Sequence, residues 1–240
     1  MPRYFCQDNP AVYELETTVL DADAGRILLE QSPFYPGGGG QLADRGRLVS
    51  SRGVLEVTDF EVTDRGIWHY VQGTLDPSAN VLAQVDRPFR DLMCELHTVS
   101  HVVNALVFQG FEGALVTGVQ MSGDGTFRMD FDLPGIDNDR LRQLEAPMNE
   151  AIKAGYPVRQ LYLPFPQASA ERGLLRSKAL TPPAQADGTV RIIEITGLDR
   201  QACGGTHLAS TDQARAIRIL KIENKGRHNR RLKVGLQGSE

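Results

Sequence analysis

The stretch FRDLMCELHTVSHVVNALVF, residues 89–108, predicts a long amphipathic helix. Its apolar side chains recur with the 3.6-residue period of an α-helix, at Leu92, Leu96, Val99, Val103, Leu106 and Val107. Gly110 is expected to end the helix, because glycine commonly follows the last helical residue. His97 and His101 lie beside the apolar stripe and, being four residues apart, on one face of the helix.

Before this helix, short alternating apolar and polar segments are separated by turn residues, without a helical period. The predicted strands are Val12–Leu20, Gly25–Leu29, Arg47–Ser51, Val54–Val62, Ile67–Val71 and Val81–Val85. Strands joined by such short turns are typical of a small β-barrel. We place the domain boundary at Asp86–Arg90, where Pro88 precedes the helix, and expect domains at residues 1–90 and 91–240.

After the helix, the sequence predicts mixed strands and helices, so the fold class is α+β. The expected strands are Thr126–Leu133, Val158–Leu163, Val190–Ile195 and a terminal hairpin of Ala216–Glu223 with Arg231–Gln237. A helix is expected over Asp137–Ala154, capped by Asn138 or Asp139 and kinked or broken at Pro147. A short helix is expected near Ser169–Ser177.

A second pair of potential metal ligands repeats the spacing of the two histidines, in Cys203-Gly204-Gly205-Thr206-His207. Zinc favours thiolate and imidazole ligands, and zinc with one labile position activates water. Because the two pairs are far apart in sequence, the fold would have to assemble the site, which favours catalysis over a compact zinc finger. The alternative is that the two helical histidines are ordinary polar residues and that Cys203 is a buried small side chain.

Composition favours a globular cytoplasmic protein. Of the 240 residues, 41% are hydrophobic and 23% are charged, and only three are cysteines, which do not make a disulfide framework. No apolar run reaches the roughly 18 residues that a membrane span needs. The first residues lack the apolar core of a signal peptide, so we expect no membrane association.

The charge is unevenly distributed along the chain. Residues 214–233 hold eight Lys or Arg and a single acid, Glu223, although the whole chain has a formal net charge of −4. Such a cluster can contact a phosphate backbone, and it can equally be a solvated pair of charged strands. A nucleic-acid partner is therefore one of two open interpretations of this segment.

Four consecutive glycines occur in Phe34-Tyr35-Pro36-Gly37-Gly38-Gly39-Gly40-Gln41. Glycines let a ligand or another backbone approach closely, and Gln41 could hydrogen-bond a substrate. The spacing matches neither a dinucleotide fingerprint nor a phosphate-binding loop, so no nucleotide cofactor is expected. The alternative is a flexible turn between strands.

Together, the glycine stretch, His97-Thr98-Val99-Ser100-His101 and Cys203-Gly204-Gly205-Thr206-His207 resemble the editing domain of alanyl-tRNA synthetase. Without an aminoacylation core, the chain is similar to the freestanding AlaX editing proteins. The glycine-rich N-terminal segment resembles their medium-length type. The resemblance implies a small N-terminal β-barrel followed by an α+β zinc-containing editing domain.

The resemblance also implies an activity, a cofactor and a partner. The activity is hydrolysis of mischarged tRNA for alanine that carries serine or glycine, and the partner is the acceptor end of that tRNA. The resemblance implies one Zn²⁺ held by His97, His101, Cys203 and His207, with Gln41, His97 and His101 as catalytic residues. The expected substrate contacts are Gly38, Gly39, Gly40, Thr98, Thr206, Arg230 and Arg231.

One departure from the family pattern limits what the resemblance implies. The family often has a polar residue where this chain has Gly37, which leaves the choice between serine and glycine open. A zinc peptidase is disfavoured, because Thr98 stands where that class has its catalytic glutamate. A non-catalytic tRNA-binding module with a structural zinc is the alternative outside the enzymes.

Overall fold

A computed structural model describes residues 3–23, 25–171, 173–175 and 184–238. Contacts divide the chain into two compact units, one formed by residues up to 38 with 42–91, and the other by residues 39–41 with the chain from 92 onward. Gly39, Gly40 and Gln41 therefore belong to the second unit, although the residues on either side of them belong to the first. The functional division into domains 1–90 and 91–240 stays a prediction.

The first unit is a closed six-stranded antiparallel barrel, which confirms the expected N-terminal barrel. A short helix, α1 (Phe5–Asp8), precedes it. The strands are β1 (Glu14–Asp23), β2 (Arg26–Leu29), β3 (Gly46–Ser50), β4 (Gly53–Thr63), β5 (Gly66–Val71) and β6 (Asn80–Val85). They are hydrogen-bonded in the order β1-β2-β5-β4-β3-β6. Alternate side chains fill the interior, including the fully buried Ile27, Leu48 and Ala83.

A buried histidine lies among the aromatic rings of this barrel. The ring of His69 is 5.4 Å from the ring centroids of both Phe34 and Phe60. Its Nδ1 lies 3.1 Å from the carbonyl oxygen of Ile27, and its Nε2 lies 2.7 Å from the hydroxyl of Ser32. A carbonyl oxygen only accepts hydrogen bonds, so Nδ1 carries the proton and donates to it. Nε2 then accepts from the hydroxyl. Burial lowers the pKa of His69 to about 4.

Acid should destabilise the barrel through His69. Between its usual pKa of 6.5 and the folded value of about 4, the unfolded chain binds a proton that the folded chain does not. The free energy of unfolding should therefore fall by about 3 kcal/mol as the pH is lowered through this window. Denaturant unfolding of His69→Gln at several pH values should show a flatter dependence, and an unchanged slope would refute the assignment.

The central helix, α2 (Arg87–Gly110), begins one half-turn earlier and ends two residues later than the predicted span. The carboxylate of Asp86 accepts a hydrogen bond from the Phe89 backbone N–H at 3.2 Å and so caps the first turn. The apolar stripe is fully buried at Leu96, Val99 and Val103, as its period predicts.

A buried ion pair in the first unit lies where the loop between Tyr35 and Asp44 begins and ends. The Arg90 guanidinium binds both carboxylate oxygens of Asp44, and both side chains are 0% exposed. Arg90 also donates to the carbonyl oxygens of Pro10 at 2.9 Å and Pro33 at 2.7 Å. The Asp44 carboxylate accepts from the Tyr35 N–H at 2.5 Å, and the Asp44 N–H donates to the Tyr35 carbonyl at 2.9 Å. The two ends of the loop are thereby fixed to each other.

The second unit contains two antiparallel sheets, and its mixture of strands and helices confirms the α+β class. One sheet has the order β12-β13-β8-β7, formed by β7 (Val116–Met121), β8 (Thr126–Asp132), β12 (Ile217–Lys225) and β13 (Asn229–Leu236). The other has the order β11-β10-β9, formed by β9 (Val158–Pro164), β10 (Thr189–Ile195) and β11 (Asp199–Ala202). The helices are α3 (Asn138–Arg142), α4 (Glu145–Lys153) and α5 (Phe165–Ala170), with a 3₁₀ turn at Thr211–Gln213.

The break expected in the helical stretch around Pro147 is observed, while other details of the two predicted helices differ. The stretch Asp137–Ala154 forms α3 and α4, because Pro147 cannot donate to the carbonyl four residues earlier. Asp137 caps α3, and neither predicted capping residue does so. The helix expected at Ser169–Ser177 lies earlier, as α5, and Ser177 is outside the described residues. Among the helices that the structure describes, none has both the length and the apolarity to cross a membrane.

Candidate metal site

Helix α2 supplies two adjacent imidazoles to the site. His97 and His101 are one turn apart, and their ring centroids are separated by 5.3 Å. Both side chains are buried, with 4% and 6% exposure. The helical spacing that the sequence predicted therefore places both rings on one buried face.

The loop after β11 brings a thiol and a third imidazole to the same place. Cys203 Sγ lies 3.3 Å from His97 Nε2 and 3.3 Å from His207 Nε2. The ligand atoms of all four residues lie within 4.8 Å of one another. Tetrahedral zinc with bonds of about 2.0–2.3 Å has ligand atoms roughly 3.3–3.8 Å apart. The two Cys203 distances are within this range, and one thiol with three imidazoles is a donor set that could hold a metal ion such as zinc.

Burial keeps the imidazoles in the form that binds metal. It lowers the pKa of His97 to about 3 and that of His207 well below its usual value. Burial also raises the pKa of the Cys203 thiol, although the charge of Arg191 and the Gly205 N–H oppose this shift. His97 and His207 are thus neutral near pH 7, and Cys203 is the group that must lose a proton when a metal binds.

Gln41 fixes the orientation of His97. Its side-chain oxygen accepts from the Thr206 backbone N–H at 3.0 Å and from His97 Nδ1 at 2.7 Å. Its amide nitrogen donates to the Thr206 hydroxyl at 2.9 Å. Since His97 Nδ1 donates its proton to Gln41, Nε2 is the nitrogen that faces Cys203.

Two glycines allow the backbone to come this close. A Cβ at Gly205 would lie 2.1 Å from the His97 ring, so any larger residue would displace the histidine. A Cβ at Gly40 would lie 2.6 Å from the Val119 carbonyl oxygen of β7. Gly40 has a φ of +85° and its carbonyl accepts from the Met121 N–H at 2.8 Å. The glycine segment is thereby anchored to the edge strand of the four-stranded sheet.

Comparison with known proteins identifies the family. Residues 190–233 match the family described as threonyl and alanyl tRNA synthetase second additional domain, and residues 9–89 match class II (A) tRNA synthetases. The alanyl-tRNA editing protein AlaX-M of Saccharolobus solfataricus is 34% identical over 92% of this chain and 93% of its own. The chain belongs to the AlaX-M family. The AlaX-M protein of Methanosarcina mazei is also 34% identical, over 93% of this chain and 92% of its own.

The family relationship extends to larger synthetases. An alanine--tRNA ligase of Korarchaeum cryptofilum is 32% identical over 88% of this chain but only 24% of its own length. A chain of AlaX-M type therefore corresponds to one part of the ligase. The match agrees with the resemblance that the three sequence motifs carry.

Arg191 supports the ligand loop of this AlaX-M chain, and the sequence did not single it out. The side chain is 3% exposed, and its Nη1 donates to the carbonyl oxygens of Cys203 at 3.0 Å and Gly205 at 2.8 Å. Its own carbonyl accepts from the Cys203 N–H at 3.1 Å. The only sequence signal was an arginine within the apolar run Val190–Ile195. A charged residue in a buried strand needs partners, and here the loop carbonyls are among them.

His101 has a buried amide beside it, which the sequence also did not reveal. The Gln201 amide nitrogen lies 2.8 Å from His101 Nδ1 and donates to the Asp199 carboxylate at 3.0 Å. Asn104 donates to the Gln201 side-chain oxygen at 2.8 Å. These contacts hold the His101 ring in place from the side of β11.

Two of the expected substrate contacts lie within the site. The Thr98 hydroxyl is 3.3 Å from His207 Nδ1 and accepts from the Leu208 N–H at 3.0 Å. The Thr206 hydroxyl accepts from Gln41 and from the Cys94 thiol, the latter at 3.2 Å. Both hydroxyls thus have partners that fix the ligand loop, and contact of either with substrate stays a prediction.

The two arginines that we expected to contact the substrate lie on β13, away from the ligand cluster in sequence. Both form hydrogen bonds within the protein. Arg230 is 8% exposed and donates to the Ile136 carbonyl oxygen at 3.3 Å. Arg231 forms two hydrogen bonds to the Asp130 carboxylate, at 2.6 and 2.7 Å. Their role in binding tRNA stays a prediction.

Loss of Gln41 should loosen the metal site. Gln41→Leu removes the acceptor for His97 Nδ1, so Co²⁺ affinity should fall about 10- to 100-fold, as is typical for an outer partner of a ligand. Gln41→Glu keeps an acceptor oxygen at that position and should retain the Co²⁺ absorption spectrum of the wild type. The readout is a Co²⁺ titration followed by absorbance, and wild-type binding by the leucine variant would refute this role.

Proposed function

We propose that this protein hydrolyses tRNA for alanine that carries serine or glycine, at a single zinc ion held by His97, His101, Cys203 and His207. The observation that carries the proposal is the convergence of these four donors in a buried cluster. Membership of the AlaX-M family, whose curated members are alanyl-tRNA editing proteins, supports the substrate class.

The donor set defines the chemistry. Zinc supplies a Lewis acid, which lowers the pKa of a bound water toward 7 or polarises an ester carbonyl. The four ligands are buried, so the protein limits the access of bulk water to the site. We propose His97 and His101 as catalytic residues beside their role as ligands. Gln41 acts with them by holding the Nδ1 proton of His97.

The ester would enter along the glycine segment. We propose that backbone N–H groups of Gly38, Gly39 and Gly40 contact the terminal ribose or the developing oxyanion, because positive φ values and the lack of side chains let a ligand approach closely. We propose the hydroxyls of Thr98 and Thr206 as further substrate contacts. Gly37 stands where the family often has a polar residue, so serine and glycine are both candidate substrates.

A separate hydrolytic protein is expected on energetic grounds. A pocket built for alanine excludes the smaller glycine by only about 1–3 kcal/mol, and it rejects an added hydroxyl poorly. A second site that hydrolyses the wrong ester corrects what binding alone does not distinguish. We further propose that residues 1–90 form the barrel domain and residues 91–240 the editing domain.

One observation favours a second candidate. Four protein donors around one ion form a closed set, which is the usual arrangement of a structural zinc. A tRNA-binding module with such a zinc would retain the metal and bind tRNA without turnover.

Deacylation separates the two candidates. Purified, metal-loaded protein is mixed with tRNA for alanine charged with serine, glycine or alanine, and the remaining ester is measured over time. We expect loss of the seryl or glycyl ester and retention of the alanyl ester. If all three esters persist while the tRNA is bound, the hydrolase proposal is wrong and the module is correct.

A further inference from the structure

The outward face of the four-stranded sheet carries a line of cations that the metal site does not use. Lys221 on β12 is directly opposite Lys233 on β13, which is directly opposite Arg128 on β8. All three are exposed, whereas their neighbours Leu232 and Met129 are buried on the other face. We call Lys221, Lys233 and Arg128 the cation row.

Within the part of the chain that the structure describes, one of these three cations forms an ion pair. Like charges directly opposite each other destabilise a sheet. Among the described residues, Lys221 alone of the three forms an ion pair, with Glu223 at 2.6 Å. Arg128 donates instead to the neutral side chain of Gln120 at 3.1 Å. Asp124 is close enough to Lys233 for their charges to interact. Its carboxylate also accepts hydrogen bonds from Thr126.

The three charges are close enough to act together. Neighbouring strands are about 4.8 Å apart, so the row extends over roughly 10 Å at the level of the backbone. Each cation is then within one Debye length, about 8 Å at physiological ionic strength, of the next. Such a row fits a chain of closely spaced anions better than a single small one.

The cation row leads across the sheet to the candidate metal site. Gln120 on β7 is directly opposite Arg128 and extends the line to the edge strand. The next residue, Met121, donates its backbone N–H to Gly40 at 2.8 Å. Gly40 precedes Gln41, whose side-chain oxygen lies 2.7 Å from His97 Nδ1. A chain of anions that lies along the row would therefore reach the glycine segment beyond the Arg128 end of the row.

We propose that the cation row binds the phosphate backbone of the tRNA strand that ends in the aminoacyl ester, with Arg128 nearest the ester. This inference rests on the proposed function. Long, exposed side chains suit phosphates because such contacts position a nucleic acid without reading its bases. The row does not include Arg230, which is buried, or Arg231, which forms two hydrogen bonds to Asp130 on the same sheet.

The test compares two triple variants with equal loss of charge. One removes the row (Arg128→Gln, Lys221→Gln and Lys233→Gln), and the matched control removes three exposed cations that lie outside the four-stranded sheet (Arg52→Gln, Arg65→Gln and Lys153→Gln). Binding of uncharged tRNA for alanine is measured between about 50 and 200 mM salt. For the row variant, the slope of log affinity against log salt should become about 2–3 units shallower, because each phosphate contact accounts for about 0.7–0.9 units.

A second readout keeps binding and hydrolysis apart. The seryl ester of adenosine lacks the tRNA strand, so the row variant should hydrolyse it at the wild-type rate. Equal salt slopes for the row variant and the control would overturn the inference, as would wild-type protein that does not bind tRNA. Wild-type protein that hydrolyses neither the seryl ester of adenosine nor seryl-tRNA for alanine would overturn the proposed function. The comparison of salt slopes would still test the cation row.

Discussion

Cys203→Ala should abolish both metal binding and deacylation. The thiol is the only sulfur ligand of the cluster and lies 3.3 Å from two imidazole nitrogens, so its loss leaves three neutral donors. Metal affinity should fall by more than the 10- to 100-fold typical of outer partners, because a direct ligand is removed. The measurements are zinc content after dialysis and the rate of deacylation of seryl-tRNA.

Two further cysteine variants make this prediction specific. Cys6→Ala changes another fully buried thiol, on α1 in the first unit, and should leave zinc content unchanged. Cys203→Ser keeps the size of the side chain but replaces sulfur with a poorer zinc ligand, and it should fold while losing the metal. Stoichiometric zinc in either Cys203 variant would remove this residue from the ligand set.

Arg90→Met should destabilise the first unit by about 3–5 kcal/mol, because it leaves the buried Asp44 carboxylate without its cation. The free energy of unfolding is measured by denaturant titration. Adding Asp44→Asn should recover part of the loss, since the amide is uncharged and its oxygen still accepts from the Tyr35 N–H.

An exposed ion pair provides the matched control. Arg52 and Asp76 are paired on the surface of the same unit, with 65% and 64% of their side chains exposed. Arg52→Met should cost less than about 1 kcal/mol, as is usual for pairs in water. Equal losses for Arg90→Met and Arg52→Met would contradict a structural role for the buried pair.

Local sequence patterns were sufficient to predict the elements whose formation depends on residues close together in the chain. Alternation and turn residues located all six strands of the barrel, since each strand has one buried face and short connections. The His97–His101 pair was found because residues four apart on a helix share a face, and the Cys203–His207 pair because it repeats that spacing with residue types that bind metal. The amphipathic period located α2 for the same reason.

Features that depend on distant partners were missed. β11 has only four residues, Asp199–Ala202, with no apolar alternation, and it is a strand because it pairs with β10. β7 contains Gly118 at an irregularity of its pairing with β8. Arg191 and Gln201 support the ligands through contacts that cross the fold, which no local pattern reports.

The burial of individual cations was also inaccessible from the sequence. Arg230 and Lys233 are three residues apart in one basic segment, yet the first is buried and the second exposed. The register between β13 and β8 decides which of these side chains faces water. Counting charges therefore found the basic segment, whereas only the structure of the sheet shows what each cation contacts.

Zinc removal and replacement tests the central claim most directly. The protein is stripped with a chelator, titrated with Zn²⁺, and assayed at each step for hydrolysis of seryl-tRNA and glycyl-tRNA for alanine. We predict no turnover by the stripped protein and full recovery at one Zn²⁺ per chain, with alanyl-tRNA spared throughout. Undiminished turnover by the stripped protein, or no turnover at one Zn²⁺ per chain, would contradict a zinc-dependent editing site.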